Sequence, residues 1–126
     1  MKIVHYPDQD NLEDESGSIG RFLKKLGKNH PDLWALTHQT MKSVKAAPDL
    51  ESFKSQKWVD HISSKYPLYE FKIPPQRRGG VVRLYFAHKK NNPNIIVILS
   101  AELKKDKKAN SEKIKQAEQR YQEVCL

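Results

Sequence analysis

Cysteine is all but missing from this chain of 126 residues, which has only Cys125. A lone cysteine cannot close an internal disulfide, so a reducing cytosol is the expected compartment. Its place beside the last residue, where chains fray, argues against a nucleophilic thiol. Long apolar runs are also missing; none approaches the roughly 20 residues of a membrane-spanning helix. The first ten residues, MKIVHYPDQD, carry no apolar stretch of the kind that marks a secretory leader. A soluble cytoplasmic protein follows by elimination.

Other chemistry is excluded in the same way. His5, His30, His38, His61 and His88 show no HxxH or HExxH spacing and have no cysteine partner, so no metal is expected. Gly79-Gly80 is too short to cradle a phosphate, and no Ser/His/Asp signature appears. No cofactor is expected. Acid is absent from residues 72–90, KIPPQRRGGVVRLYFAHKK, which hold six Lys/Arg, whereas residues 8–15, DQDNLEDE, hold five acids and no base. The net charge is +8, which implies an anionic partner: nucleic acid, a membrane surface or an acidic protein. Its clustering on one stretch favours nucleic acid.

What is present suffices for one domain over residues 1–126, with a core that needs neither metal nor disulfide. Residues 2–6 read as a short strand ended by Pro7. Ile19, Phe22, Leu23 and Leu26 recur at helical spacing, so a helix is predicted over 19–27, with Ser18 as cap and Gly27 at its end. Leu33, Leu36, Thr40, Met41 and Val44 share one face of a second helix over 31–46, begun by Pro31 and stopped by Pro48. Residues 49–65 are ambiguous between a helix over 56–63 and extended loop. Tyr69, Phe71 and Ile73 alternate with Leu68, Glu70 and Lys72 in a strand over 68–74. A second strand over 81–88 sets Val82, Leu84 and Phe86 against Val81, Arg83 and Tyr85. After the Asn91–Asn94 turn signal, residues 95–101 are apolar throughout, as in a strand covered on both faces. A last helix, capped by Asn110 or Ser111, carries Ile114, Ala117, Tyr121 and Val124 on one side. The expected fold is α+β: an N-terminal strand and a helical hairpin packed on a mainly antiparallel sheet of about four strands, with a C-terminal helix.

Chemistry concentrates on the hairpin of the two alternating strands. Its apolar faces coincide only in registers whose paired residue numbers sum to an odd value. A sum of 155 sets Lys72 opposite Arg83 and Glu70 opposite Tyr85. Such a like-charge pair is most easily kept by an anion between the two cations. A sum of 153 instead pairs Glu70 with Arg83 in a cross-strand salt bridge. Arg77 and Arg78 lie in the hairpin loop, where guanidinium forks can grip phosphates. Lys104, Lys105, Lys107 and Lys108 follow the last apolar strand and read either as a phosphate-facing cluster or as a solvated loop. His88 reads as a strand-end surface histidine or as an acid–base group.

Tyr69-Glu70-Phe71-Lys72-Ile73 resembles the Y-E-L-R-I strand of the RelE/HigB toxins of bacterial type II toxin–antitoxin systems, in the RelE/ParE superfamily. Val82-Arg83-Leu84-Tyr85-Phe86 resembles their next strand, and the run from Ile98-Leu99 to Lys108, then Ile114, Ala117 and Arg120, resembles their ending. The resemblance covers about residues 66–124 well. It implies a RelE-like fold and a ribosome-associated mRNA endoribonuclease that inhibits translation without a metal. Cleavage would proceed by attack of a ribose 2′-OH on the adjacent phosphate. The resemblance puts Lys72, Arg83, Lys105 and Lys104 at the catalytic cation positions; the base is either a lysine whose pKa its neighbouring cations depress or Glu70, which otherwise simply pairs with Arg83. Arg77, Arg78, Lys107, Lys108 and His88 would bind RNA. The implied partners are mRNA, the ribosome and a cognate antitoxin, expected to be of helix-turn-helix type and to form a higher-order complex with the toxin. Two further readings stand beside this one: a ParE-like toxin that inhibits gyrase without cutting RNA, and a non-catalytic basic RNA-binding module.

Overall fold

The computed structural model describes residues 1–7, 14–62, 65–75, 80–104 and 111–126. Arg77, Arg78, Lys105, Lys107 and Lys108, and residues 8–13 of the acidic tract, lie outside the described residues, and with them the expectations they carry.

The helical hairpin consists of α1 (Ser18–Asn29) and α2 (Pro31–Ala46). Gly17, not Ser18, is the residue before the first helical turn of α1. Ser18 is itself helical, and its hydroxyl accepts a hydrogen bond from Arg120. Helix α1 also runs past the expected stop at Gly27. That glycine serves packing instead, because a Cβ there would sit 2.9 Å from Cδ1 of Trp34 on α2. The turn comes at His30, whose N–H bonds the Leu26 carbonyl, and Pro31 opens α2 in the position where its missing N–H costs nothing.

Among the described residues, five strands form one mixed sheet in the order β1-β5-β4-β3-β2. They are β1 (Lys2–His5), β2 (Val59–His61), β3 (Tyr69–Ile73), β4 (Val81–Lys89) and β5 (Asn92–Lys104). Strand β1 pairs parallel to β5, and the other pairings are antiparallel. The sheet has one strand more than expected, because residues 56–62, the described part of the helix considered over 56–63, are not helical. A short 3-10 turn at Leu50–Ser52, capped by Asp49, leads into the edge strand β2. The Trp58, Val59, Ile62 pattern suits an edge strand equally well: Val59 is buried while Asp60 and His61 are exposed.

Strand β5 begins earlier than the apolar run, at Asn92. Between the His88–Ile96 and Lys89–Asn92 pairs its register jumps, so Pro93 falls in an irregularity, where a residue without an N–H donor is tolerated. A second shift leaves Leu99 as an extra residue between the partners of Tyr85 and Phe86.

The central strands are covered on both faces, which explains the unbroken apolar run of β5. On one face Phe71, Val82, Leu84, Phe86, Ile96 and Ile98 pack against Ile19, Leu23, Leu33, Met41 and Val44 of the hairpin. On the other, Val4, Tyr85, Ala87, Val97 and Leu99 pack against Ala117, Tyr121 and Cys125 of α3 (Ser111–Val124) and its end. Arg120 fastens α3 down. It donates to the Leu99 carbonyl at 2.8 Å and lies over the Tyr6 ring at 4.4 Å. No helix among the described residues is long and apolar enough to cross a membrane.

Candidate functional site

Beyond the part covered by α3, the second sheet face is polar. The β3–β4 register is the one in which paired numbers sum to 155: Lys72 lies opposite Arg83 and Glu70 opposite Tyr85. Pairing with the flanking strands extends this into two rows across the sheet. One row runs Asp60, Glu70, Tyr85, Ser100; the next runs Lys72, Arg83, Glu102.

Contacts between the rows are diagonal, and each leans the same way. Lys72 Nζ meets Asp60 Oδ2 at 2.7 Å, Arg83 donates to Glu70 Oε1 at 2.8 Å, and the Tyr85 hydroxyl donates to Glu102 Oε2 at 2.7 Å. Diagonal neighbours on adjacent strands are within reach of long side chains. Of the two registers the sequence left open, the one summing to 155 forms and the one summing to 153 does not, but the Glu70–Arg83 salt bridge expected of the latter forms all the same, across a diagonal. Carboxylates hold the like-charge pair in place, where an anion between the cations was the expectation. At the end of the first row, the Ser100 hydroxyl donates to Gln116 of α3 at 2.7 Å.

Burial is uneven along this ladder. Glu70 is 2% exposed and Arg83 6%. Lys72 and Asp60 form the rim, with side chains 21% and 49% exposed. Burial pushes the Glu70 carboxyl above the ordinary glutamate range, and the attraction of Arg83 only partly offsets it. Among the described residues, Glu70 Oε2 has no hydrogen-bond partner. The Tyr85 phenol is pushed well above its usual range, first by burial and then by its bond to Glu102. A buried carboxyl with a raised pKa thus sits beside the Arg83 guanidinium, with the Lys72 ammonium at the rim.

The other expected site residues fall as follows. Lys104 ends β5 opposite Val81, one row beyond Glu102 on the same face, and is half-buried. His88 lies at the far end of β4, on the alternate face, opposite Ile96. Its Nδ1 contacts the Lys89 carbonyl at 3.0 Å, so it is not brought to the ladder. Asp60 was missed, because a three-residue edge strand leaves no periodic signal. Glu102 and Tyr85 were missed as a pair, although their alternation in β4 and β5 placed both on the polar face. Tyr121, on α3, is buried against the sheet, and burial raises the Cys125 thiol to about 11. Among the described residues no cluster of three or more His, Cys, Asp or Glu could hold a metal.

Residues 10–122 match the family described as Phage derived protein Gp49-like (DUF891). The chain belongs to this family. It is a RelE/ParE-like toxin family of toxin–antitoxin systems, and membership implies a cognate antitoxin. The match is to the Gp49-like family as a whole and does not single out the RelE/HigB branch. No curated protein matches the chain, and no solved structure does. The matched span of this Gp49-like chain takes in α1, α2, the sheet from β2 to β5 and most of α3, and so the whole ladder.

Proposed function

We propose that this Gp49-like protein, acting as one domain over residues 1–126, is a RelE/HigB-type toxin that cleaves mRNA on the ribosome, in the cytoplasm. The observation that carries the reading is Glu70: a buried carboxyl with a raised pKa, bonded to Arg83 and close to Lys72. Cleavage without a metal needs a base for the 2′-OH, cations for the phosphorane and an acid for the leaving oxygen. Glu70 takes the 2′-OH proton as O2′ bonds to phosphorus. Arg83 cannot deprotonate and serves only to stabilise charge. Lys72 and Lys104 add positive charge on the same face. The bond from phosphorus to the 5′-oxygen breaks, and that oxygen takes a proton from water, leaving a 2′,3′-cyclic phosphate and a 5′-hydroxyl. Lys105, Arg77, Arg78, Lys107 and Lys108 contact the RNA backbone, and a helix-turn-helix antitoxin holds the toxin in a higher-order complex.

A translating extract tests this. Purified protein yields mRNA cut at discrete ribosome-bound positions, and the combined variant Lys72→Ala/Arg83→Ala abolishes the cuts. A second reading, a ParE-like toxin that stalls gyrase, is favoured by the charge of the ladder, where Asp60 and Glu70 are bonded to Lys72 and Arg83 and Glu102 adds a third carboxylate, so its two cations are not in excess. Intact mRNA together with stalled gyrase would establish that reading and discard the ribonuclease.

A further inference from the structure

A groove of about 280 Å³ lies between α2 and the β2–β3 edge of the sheet, lined by Gln39, Thr40 and Ser43 on one side and Trp58, Lys72 and Pro74 on the other. It falls just below the roughly 300–1,000 Å³ of sites for drug-sized ligands, and suits a single planar ring. Trp58 is a braced platform. Its ring stacks on Phe53 at 5.9 Å and on Phe71 at 5.8 Å, and its carbonyl accepts from the Lys72 N–H at 2.8 Å. The Thr40 and Ser43 hydroxyls turn back onto carbonyls of their own helix. Gln39 is exposed, and its amide can both donate and accept.

An aromatic platform, an amide and a cation one residue along from the strand end form the usual equipment for holding one single-stranded nucleotide. Rings stack on the aromatic side chain, the amide reads the base edge, and the cation takes the phosphate. Lys72 lines this groove, and its ammonium meets Asp60 at the rim of the polar ladder on the other face of the sheet, so a nucleotide whose base sits in the groove reaches Lys72 around the β2–β3 edge.

We propose that this groove is a nucleobase subsite for single-stranded RNA, with the neighbouring phosphate on Lys72. The inference rests on the RNA reading of the ladder, which lies on the other face of the sheet and meets the groove at the β2–β3 edge through Lys72, and its test separates the two.

The chain has two tryptophans, so Trp34→Phe leaves Trp58 as the only one. The probe is a short single-stranded 2′-O-methyl RNA, which lacks the attacking hydroxyl. It should quench Trp58 fluorescence saturably. Gln39→Ala, on an exposed helix position, should weaken binding roughly tenfold, of the order of one base contact. An abasic oligonucleotide of equal charge should not quench. Quenching by the abasic strand, or no dependence on Gln39, would overturn the proposal. So would quenching by the antitoxin but not by the RNA, which would make the groove a protein-docking site. If the wild type cuts mRNA and Gln39→Ala cuts it unchanged, the subsite fails while the ribonuclease stands. If Gln39-dependent quenching occurs without any cutting, the subsite stands and the ribonuclease fails.

Discussion

The Glu70–Arg83 pair makes a quantitative prediction. At 2.8 Å and an effective dielectric near 20, the Coulomb attraction is about 6 kcal/mol. Removing both charges from water costs several kcal/mol each, so the pair is near break-even overall. The raised pKa of Glu70 points the same way: for the carboxylate, burial outweighs Arg83. Each partner is nonetheless indispensable to the other. Glu70→Leu leaves a guanidinium that cannot shed its proton and costs about 3–5 kcal/mol. Arg83→Met leaves a carboxyl that escapes part of the cost by protonating. The double variant, with an apolar pair of similar volume, returns to within about 1–2 kcal/mol of wild type. Urea unfolding of the four proteins gives the coupling energy, expected at about 3 kcal/mol or more. Additive single effects would refute the reasoning. The pH dependence adds a second check. A carboxyl whose folded pKa lies above its unfolded value stabilises the protein below the unfolded value, and this stabilisation is lost as pH rises through the folded one. The stability gap between wild type and Glu70→Gln should therefore narrow as pH rises from the ordinary glutamate range through the raised pKa of Glu70.

Lys72→Ala should cost under about 1 kcal/mol, because its pair with Asp60 is partly exposed. A thermal melt should barely move while mRNA cutting in a translating extract falls by about a hundredfold or more. Asp60→Asn removes the carboxylate that competes for Lys72 and should tighten binding of the 2′-O-methyl oligonucleotide, with a steeper salt dependence by about one charge. Gly20→Ala would put a Cβ 1.8 Å from the Asp14 carbonyl oxygen; despite the better helix propensity it should destabilise by about 1–3 kcal/mol in chemical denaturation. Arg120→Ala removes the bond to the Leu99 carbonyl and should cost about 1.5–3 kcal/mol, with faster amide exchange in α3.

Helix α2 and strands β3 and β4 were legible because each repeats its apolar residues over enough positions to distinguish a period of 3.6 from one of 2. The bounds of α2 agree with the structure to the residue. Strand β2 was not legible, because three residues with one buried position carry no period. Its loss hid Asp60, and with it half of the explanation for how Lys72 and Arg83 coexist. The register of the β3–β4 hairpin was narrowed to two choices by matching apolar faces. The choice between them turned on which residues lie opposite one another, whereas the bonds that form run to diagonal neighbours. That difference comes from the twist of the strands, which shortens one diagonal and is not written in any single strand's pattern. Helix α1 overran Gly27 for a similar reason: the glycine answers to Trp34 on another helix.

The grading of exposure along the ladder gives it a direction. Opening the Lys72–Asp60 pair costs little, because water already screens it. Separating Arg83 from Glu70 costs several kcal/mol, because neither ion would have solvent to return to. A phosphate that reaches this face therefore meets Lys72 first, by exchange with Asp60. Only a substrate already anchored elsewhere can supply the energy to engage the buried pair. The Trp58 groove beside Lys72 is suited to such an anchor, and remote binding energy spent at a reacting centre is how enzymes convert affinity into rate. A buried, charge-matched Arg83 is thus compatible with catalysis only if the base is held first. On this reasoning, truncating the RNA at the nucleobase in the groove should lower the cutting rate and not merely the affinity.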